Sequence, residues 1–115
     1  MRFLLVHRID ERRPDAYNPS PEVVEGIGRL IGDMTRAGVL LAAEGVGPSS
    51  KGARVRSSGG KRTVTDGPFT EAKEVIGGFA LLQVRSKDEA VEWALRFAEC
   101  IGEVEVEVRE VAEGP

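Results

Sequence analysis

The chain has 115 residues, of which 41% are hydrophobic and 30% are charged, and its net charge is −3. These values are typical of a soluble globular protein, and we expect a single domain over residues 1–115. The small net charge argues against nucleic acid as a partner. The apolar run at residues 3–7 is too short for a signal peptide or a membrane span, so we expect a cytoplasmic protein. The single Cys100 cannot form an internal disulfide and is expected to be a structural thiol.

Hydrophobic periodicity predicts the strands of the main sheet. They are expected at residues 3–8, 39–44, 79–84 and 103–108. The first three are continuous apolar runs, which is typical of central strands buried on both faces. The last alternates Glu with Val, as a strand with one solvent-exposed face does. Shorter β-patterns at residues 53–57 and 61–65 flank Ser58-Gly59-Gly60 and predict a hairpin.

Capping residues predict where two helices begin and end. Ser20 is followed by Pro21, a favoured first helical residue, and apolar side chains then recur at helical spacing until Gly38. Ser86 and Glu89 form a capping box for a second helix that ends at Gly102. The resulting order is β, α, β, hairpin, β, α, β, which predicts an α+β, ferredoxin-like split β-α-β fold with an inserted hairpin.

The two helices can cover only one face of such a sheet. Because the first three main strands are apolar on both faces, the second face must also be shielded from water. A homodimer that packs sheet against sheet would shield it. A concave, mostly apolar cavity between the two sheets would then be the expected ligand site.

The segment from Val64 to Phe79 contains a rigid Asp66-Gly67-Pro68-Phe69 turn and a Gly77-Gly78 step. It resembles the signature of the DGPF-domain family, within the YCII-related superfamily. The resemblance extends over most of the chain, in the stretches at residues 3–7, 37–40, 44–48, 88–94 and 104–109. It implies a bacterial protein that forms a dimeric α/β barrel from ferredoxin-like subunits. It implies no established activity, although some relatives have a proposed His and Asp acid/base pair, and one is a dehydrochlorinase of an aromatic ring.

Three side chains are candidates for proton transfer. His7 is the only histidine and ends the first strand, where its near-neutral pKa suits acid/base work. Asp66 sits in the signature turn, although Asp is also common in turns because it accepts backbone N–H groups. Glu44 ends an otherwise apolar strand, so it must pair with a cation or face a cavity. An arginine salt bridge is the structural alternative for Glu44, and a silent loop contact is the alternative for His7.

The basic residues of the hairpin are candidates for ligand binding. Arg54 and Arg56 share one face and could hold a carboxylate or phosphate by paired hydrogen bonds, unless they pair with the acidic last strand. Thr70 and Lys73 follow the signature turn and could line the same pocket. Phosphate-loop, dinucleotide and zinc-ligand patterns are incomplete, so no cofactor and no metal is expected.

Two functions of different classes remain open at this point. The first is a small lyase- or isomerase-type enzyme that uses His/Asp acid/base chemistry on a compact organic acid, either aliphatic or aromatic, with His7 as acid and Asp66 or Glu44 as base. The second is a non-catalytic ligand-binding or regulatory module, associated with an extracytoplasmic-function sigma factor as the family resemblance suggests. Either would act as a homodimer with a small anionic or aromatic ligand.

Overall fold

The computed structural model describes residues 1–113 of the chain and has the predicted order of elements. The strands are β1 (Arg2–Ile9), β2 (Leu40–Gly45), β3 (Ala53–Ser58), β4 (Lys61–Asp66), β5 (Val75–Gln83) and β6 (Val106–Glu110), and the helices are α1 (Pro21–Arg36) and α2 (Lys87–Ile101). One short 3-10 turn, Ser49–Lys51, follows β2. The described residues thus form a mixed α+β fold with antiparallel sheets and two helices, consistent with a ferredoxin-like architecture.

Both helices begin at the predicted serines. The Ser20 hydroxyl accepts a hydrogen bond from the Val23 N–H at 3.3 Å, and the Ser86 hydroxyl accepts one from the Glu89 N–H at 3.2 Å. These bonds satisfy amide groups that have no partner inside the helix. Gly38 follows α1 with a φ of 73°, a left-handed conformation that glycine adopts without steric cost.

The main sheet has the strand order β2-β5-β1-β6, with every neighbouring pair antiparallel. Strand β5 lies between β1 and β2, which is the split β-α-β arrangement. The prediction of three central strands was wrong for β2, because β2 is an edge strand and its Leu41 side chain is 49% exposed. Strand β6 begins three residues later than predicted, since α2 ends at Ile101 and Gly102 turns the chain with a φ of 95°.

The core lies between the sheet and the two helices. Phe3 and Leu5 of β1 alternate with less buried neighbours and point to the helix side, where Leu82 of β5 is fully buried. Leu30 of α1 and Ala94 of α2 close this core from above. Period-two alternation in β1 therefore defines the covered face of the sheet.

The opposite face of the sheet is not covered by any element of the described chain. Leu4 lies beside Leu81, and Val6 lies beside Phe79, on the side that alternates away from the core. The molecule is accordingly thin, with extents of 46 × 42 × 18 Å. Its radius of gyration is 16.0 Å, whereas a globular chain of this length is expected near 13 Å.

The predicted hairpin is formed by β3 and β4 as a separate two-stranded sheet. Gly59 and Gly60 form its turn with φ values of 56° and 78°, as a tight hairpin turn requires. Every residue of both strands is exposed. The hairpin therefore adds no side chain to the core and projects from the rest of the fold.

Candidate functional site

A cleft of about 870 Å³ opens between helix α1, the loop of residues 10–20 and the covered face of the sheet. Its floor is apolar, with Leu30 and Met34 of α1, Ala80 of β5 and Phe97 of α2 among the lining side chains. The loop, which connects β1 to α1, forms one wall of the cleft. It lies on the helix side, whereas the cavity expected from the sequence lies between the sheets of two copies, and that expectation stays a prediction.

His7 forms part of the inner lining of this cleft. The imidazole packs against the Phe97 ring of α2, with ring centroids 4.9 Å apart and an angle of 47° between the planes. Since His7 follows Phe3 and Leu5 at period two, it belongs to the covered face of β1. Within residues 1–113, no group makes a hydrogen bond to the ring nitrogens.

The Gly77-Gly78 step gives the imidazole its space. A Cβ atom at Gly77 would lie 2.8 Å from the His7 Nε2 atom, and a Cβ at Gly78 would lie 2.8 Å from Cε1. The added Cβ at Gly77 would also lie 2.8 Å from Ile9 Cγ2, and real side chains do not approach so closely, so both positions are compatible only with glycine unless the ring and its neighbours move. A register shift in β1 between His7 and Arg8 lies at the same place. The glycines of the signature segment are thus packed against the only histidine.

Burial lowers the pKa of His7 below its ordinary value, because the charged imidazolium is poorly solvated there. The ring is therefore neutral at pH 7. A neutral imidazole can accept a proton through one nitrogen and donate through the other. His7 has the protonation state and the access that a general base needs.

The mouth of the cleft is predominantly acidic. The acidic residues of its lining are Asp10, Asp15, Glu74 and Glu103, besides Glu44 of the edge strand β2. Asp10 is paired with Arg12, the Nε to Oδ1 distance being 2.9 Å, and the Arg12 hydrogen bonds lower the pKa of Asp10. The predicted residue Glu44 is paired with Phe79, so its side chain belongs to the uncovered face of the sheet and not to the face of His7. Glu74 and Glu103 were not singled out from the sequence.

Asp66, in contrast, lies outside this cleft. It is the exposed last residue of β4 and is paired with Ala53 in the hairpin register. The turn after it packs on the 3-10 segment, where the Gly67 N–H donates to the Gly52 carbonyl at 2.9 Å. A Cβ at Gly67 would lie 1.7 Å from the Ser49 carbonyl oxygen, so this turn requires glycine. Within the described chain the turn is architectural, and no contact joins Asp66 to His7.

A polar network links that turn to the loop of the cleft. The buried Ser49 hydroxyl accepts a hydrogen bond from the Phe69 N–H at 2.9 Å and donates to a Glu11 carboxylate oxygen. Glu11 also accepts from the Ser49 N–H at 2.9 Å and from the Tyr17 hydroxyl at 3.1 Å. Hydrogen bonds from Ser49 lower the pKa of Glu11. No local sequence pattern indicates this network, since 38 residues separate Glu11 from Ser49.

The predicted ligand-binding residues lie on the hairpin side of the molecule. Arg54 stacks over the Phe69 ring, with its guanidinium carbon 3.9 Å from the centroid, and forms an ion pair with Glu71. Arg56, Thr70 and Lys73 are exposed, and none of the three lines the cleft with His7. Their role in ligand binding stays a prediction.

Other chemistries find no further support among residues 1–113. These residues contain no cluster of His, Cys, Asp and Glu side chains able to hold a metal ion. Cys100 is half-buried, with its Sγ atom 3.3 Å from the point where a Cβ at Gly26 would lie. None of the helices is both long and apolar enough to span a membrane.

Comparisons with known proteins are consistent with this architecture but identify no activity. Residues 1–113 match the family described as the YCII-related domain. The chain is also similar to an uncharacterized protein of Rhizobium meliloti (strain 1021), with 41% identity over 87 residues. That match covers 74% of this chain and 70% of the relative.

Proposed function

The chain belongs to the YCII-related domain family, and on that premise we propose that it binds a compact, largely apolar organic molecule in the cleft and transfers a proton on it through His7. The observation that carries this proposal is the neutral, half-buried imidazole on the lining of an apolar cleft. Proton transfer of this kind is the chemistry of lyases and isomerases.

His7 acts first as a base in the proposed reaction. The neutral ring removes a proton from a carbon next to an electron-withdrawing group and becomes imidazolium, and it then returns that proton to another carbon or to a leaving group. Glu44 takes no part in the proposed step, because it is paired with Phe79 and its side chain belongs to the opposite face of the sheet. Asp66 is left out of this proton path, because the turn that holds it packs outside the cleft.

The test uses hydrogen exchange on carbon in D₂O. Phenylacetone is the probe, since its benzylic C–H is acidic and its body fits an apolar cleft, and NMR follows the incorporation of deuterium. We expect wild type to accelerate exchange and His7→Gln to lose about 100-fold or more of that rate. The wild-type rate should rise with pH through an inflection below about 6.5, as the lowered pKa of His7 requires.

The matched control is Glu105→Gln, an exposed change of one charge away from the cleft lining, which is expected to keep the wild-type rate. An equal exchange rate in wild type and His7→Gln would contradict the proposal. Binding of the probe without any accelerated exchange would contradict proton transfer and leave a ligand-binding module.

We further propose that the chain belongs to the DGPF-type branch of the family and works as a homodimer. The Asp66-Gly67-Pro68-Phe69 turn supports the first statement. The second is supported by the uncovered sheet face around Leu4 and Val6 and by the 18 Å thickness of the described chain.

A further inference from the structure

The charges around the cleft restrict which ligand can enter it, and the inference drawn from them rests on the function proposed above. Apart from Glu44, whose side chain belongs to the opposite face of the sheet, four acidic residues and two arginines line the cleft. Both guanidinium groups are already engaged. Arg13 is paired with Asp15, the Nε to Oδ1 distance being 3.7 Å, and Arg8 is paired with Glu107, the Nη1 to Oε1 distance being 3.4 Å.

The remaining carboxylates leave an excess of negative charge at the mouth. Asp10 is neutralised by Arg12, but Glu74 and Glu103 have no ion-pair partner among residues 1–113. The neutral His7 ring adds no positive charge to offset them. An organic anion would therefore meet unscreened carboxylates on its way in, whereas a cation would be attracted.

The interior of the same cleft favours a ligand with an apolar body. Ile27, Leu30 and Met34 of α1 face Ala80 of the sheet, and the Phe97 ring lies beside His7. We propose that the ligand is an amphiphilic amine, whose aromatic or branched aliphatic body lies on this floor and whose ammonium group remains at the carboxylate rim. In this proposal the ligand binds in the cleft, and the carboxylates at its rim favour a ligand with a positive charge. The small organic acid expected from the sequence is replaced by a cation of similar size.

Three probes of nearly equal shape test this inference: 2-phenylethylamine, 2-phenylethanol and 3-phenylpropionate, which are cationic, neutral and anionic at pH 7. Because His7 is the only histidine, its imidazole signals in NMR report binding in the cleft without ambiguity. We expect the amine to bind about five- to tenfold more tightly than the alcohol, and the propionate more weakly than both. Added salt should reduce the advantage of the amine.

The matched variants differ only in where charge is removed. The double variant Glu74→Gln, Glu103→Gln should bring the amine to the affinity of the alcohol. The control Glu92→Gln, Glu105→Gln removes the same charge from exposed positions outside the cleft lining and should keep the preference. Circular dichroism checks that both variants fold.

The outcomes separate the two proposals. If the propionate or the alcohol binds best and shifts the His7 signals, the charge inference is wrong while the cleft remains a site. If the amine keeps its advantage in the cleft double variant, the inference is also wrong. If none of the probes shifts the His7 signals at millimolar concentration, the cleft is no binding site for such molecules. Both the proposed function and the charge inference are then wrong.

Discussion

Gly77 and Gly78 matter to the structure because they have no side chain. Each leaves room that the His7 imidazole fills, and the point where a Cβ at Gly78 would lie is also 3.0 Å from the Glu44 carbonyl oxygen. A methyl group there must displace either the ring or the backbone of β2. The position of His7 is therefore specified by strand β5 as much as by its own strand.

We predict that Gly78→Ala destabilises the protein by about 1–3 kcal/mol, because overpacking of a filled site forces neighbours to move. Gly28→Ala is the matched control. Gly28 lies in α1 with no atom within 4 Å of its added Cβ, and the same substitution should stabilise by about 0.5–1 kcal/mol through helix propensity. Urea unfolding measures both, and a stabilised Gly78→Ala variant would show that the ring is not held by these glycines.

Among the elements, the loop of residues 10–20 depends most on contacts distant in sequence. Glu11 and Tyr17 of this loop join Ser49, which in turn holds the signature turn through Phe69. The loop is a wall of the cleft, so this network fixes the width of the entrance. A disturbance at Ser49 should reach both the turn and the cleft.

We predict that Ser49→Ala lowers the free energy of unfolding by about 1–2 kcal/mol, because the Phe69 N–H and a Glu11 oxygen lose their partner. Ser50→Ala changes the exposed neighbour in the same 3-10 turn and should change stability by less than about 0.5 kcal/mol. Equal unfolding curves for the two variants would argue against the network.

From the same network we predict how the stability of the fold changes at acid pH. Since the folded pKa of Glu11 is lowered, the ionised carboxylate stabilises the fold above its unfolded pKa of about 4.3, and this contribution is lost as pH falls through the folded value. We expect a Glu11→Gln variant to lose this part of the acid dependence, and the Ser49→Ala deficit to shrink in acid. Urea unfolding across a series of pH values is the measurement, and an unchanged deficit at low pH would contradict it.

Much of the element order could be predicted because it depends on local signals. Ser20, Ser86 and the Gly59-Gly60 turn act within a few residues of themselves, and sequence shows them directly. The start of β5 at Val75 was missed, since two glycines interrupt its apolar pattern. The cleft was missed because its wall is an irregular loop. The hydrogen bond between Glu11 of this loop and Ser49 joins two segments that no sequence periodicity relates.

At the scale of the whole molecule, no element of the described residues covers the second face of the sheet, and this leads to a prediction of association. We expect wild type to sediment at twice its chain mass of 12.4 kDa. Leu4→Asp places a charge on the uncovered face and should yield a folded monomer, whereas Leu95→Asp, at a 58% exposed position of α2, should remain a dimer. Analytical ultracentrifugation measures the association state, and circular dichroism checks that each variant folds. A monomeric wild type would contradict the proposal.

A layer 18 Å thick also has consequences for how stability is measured. Among residues 1–113 the core contains a single fully buried large side chain, Leu82, so little of the folding free energy comes from a deep interior. If a second copy supplies the missing cover, folding and association become one equilibrium. The melting temperature should then rise with protein concentration, and dilution alone should bring the protein closer to unfolding.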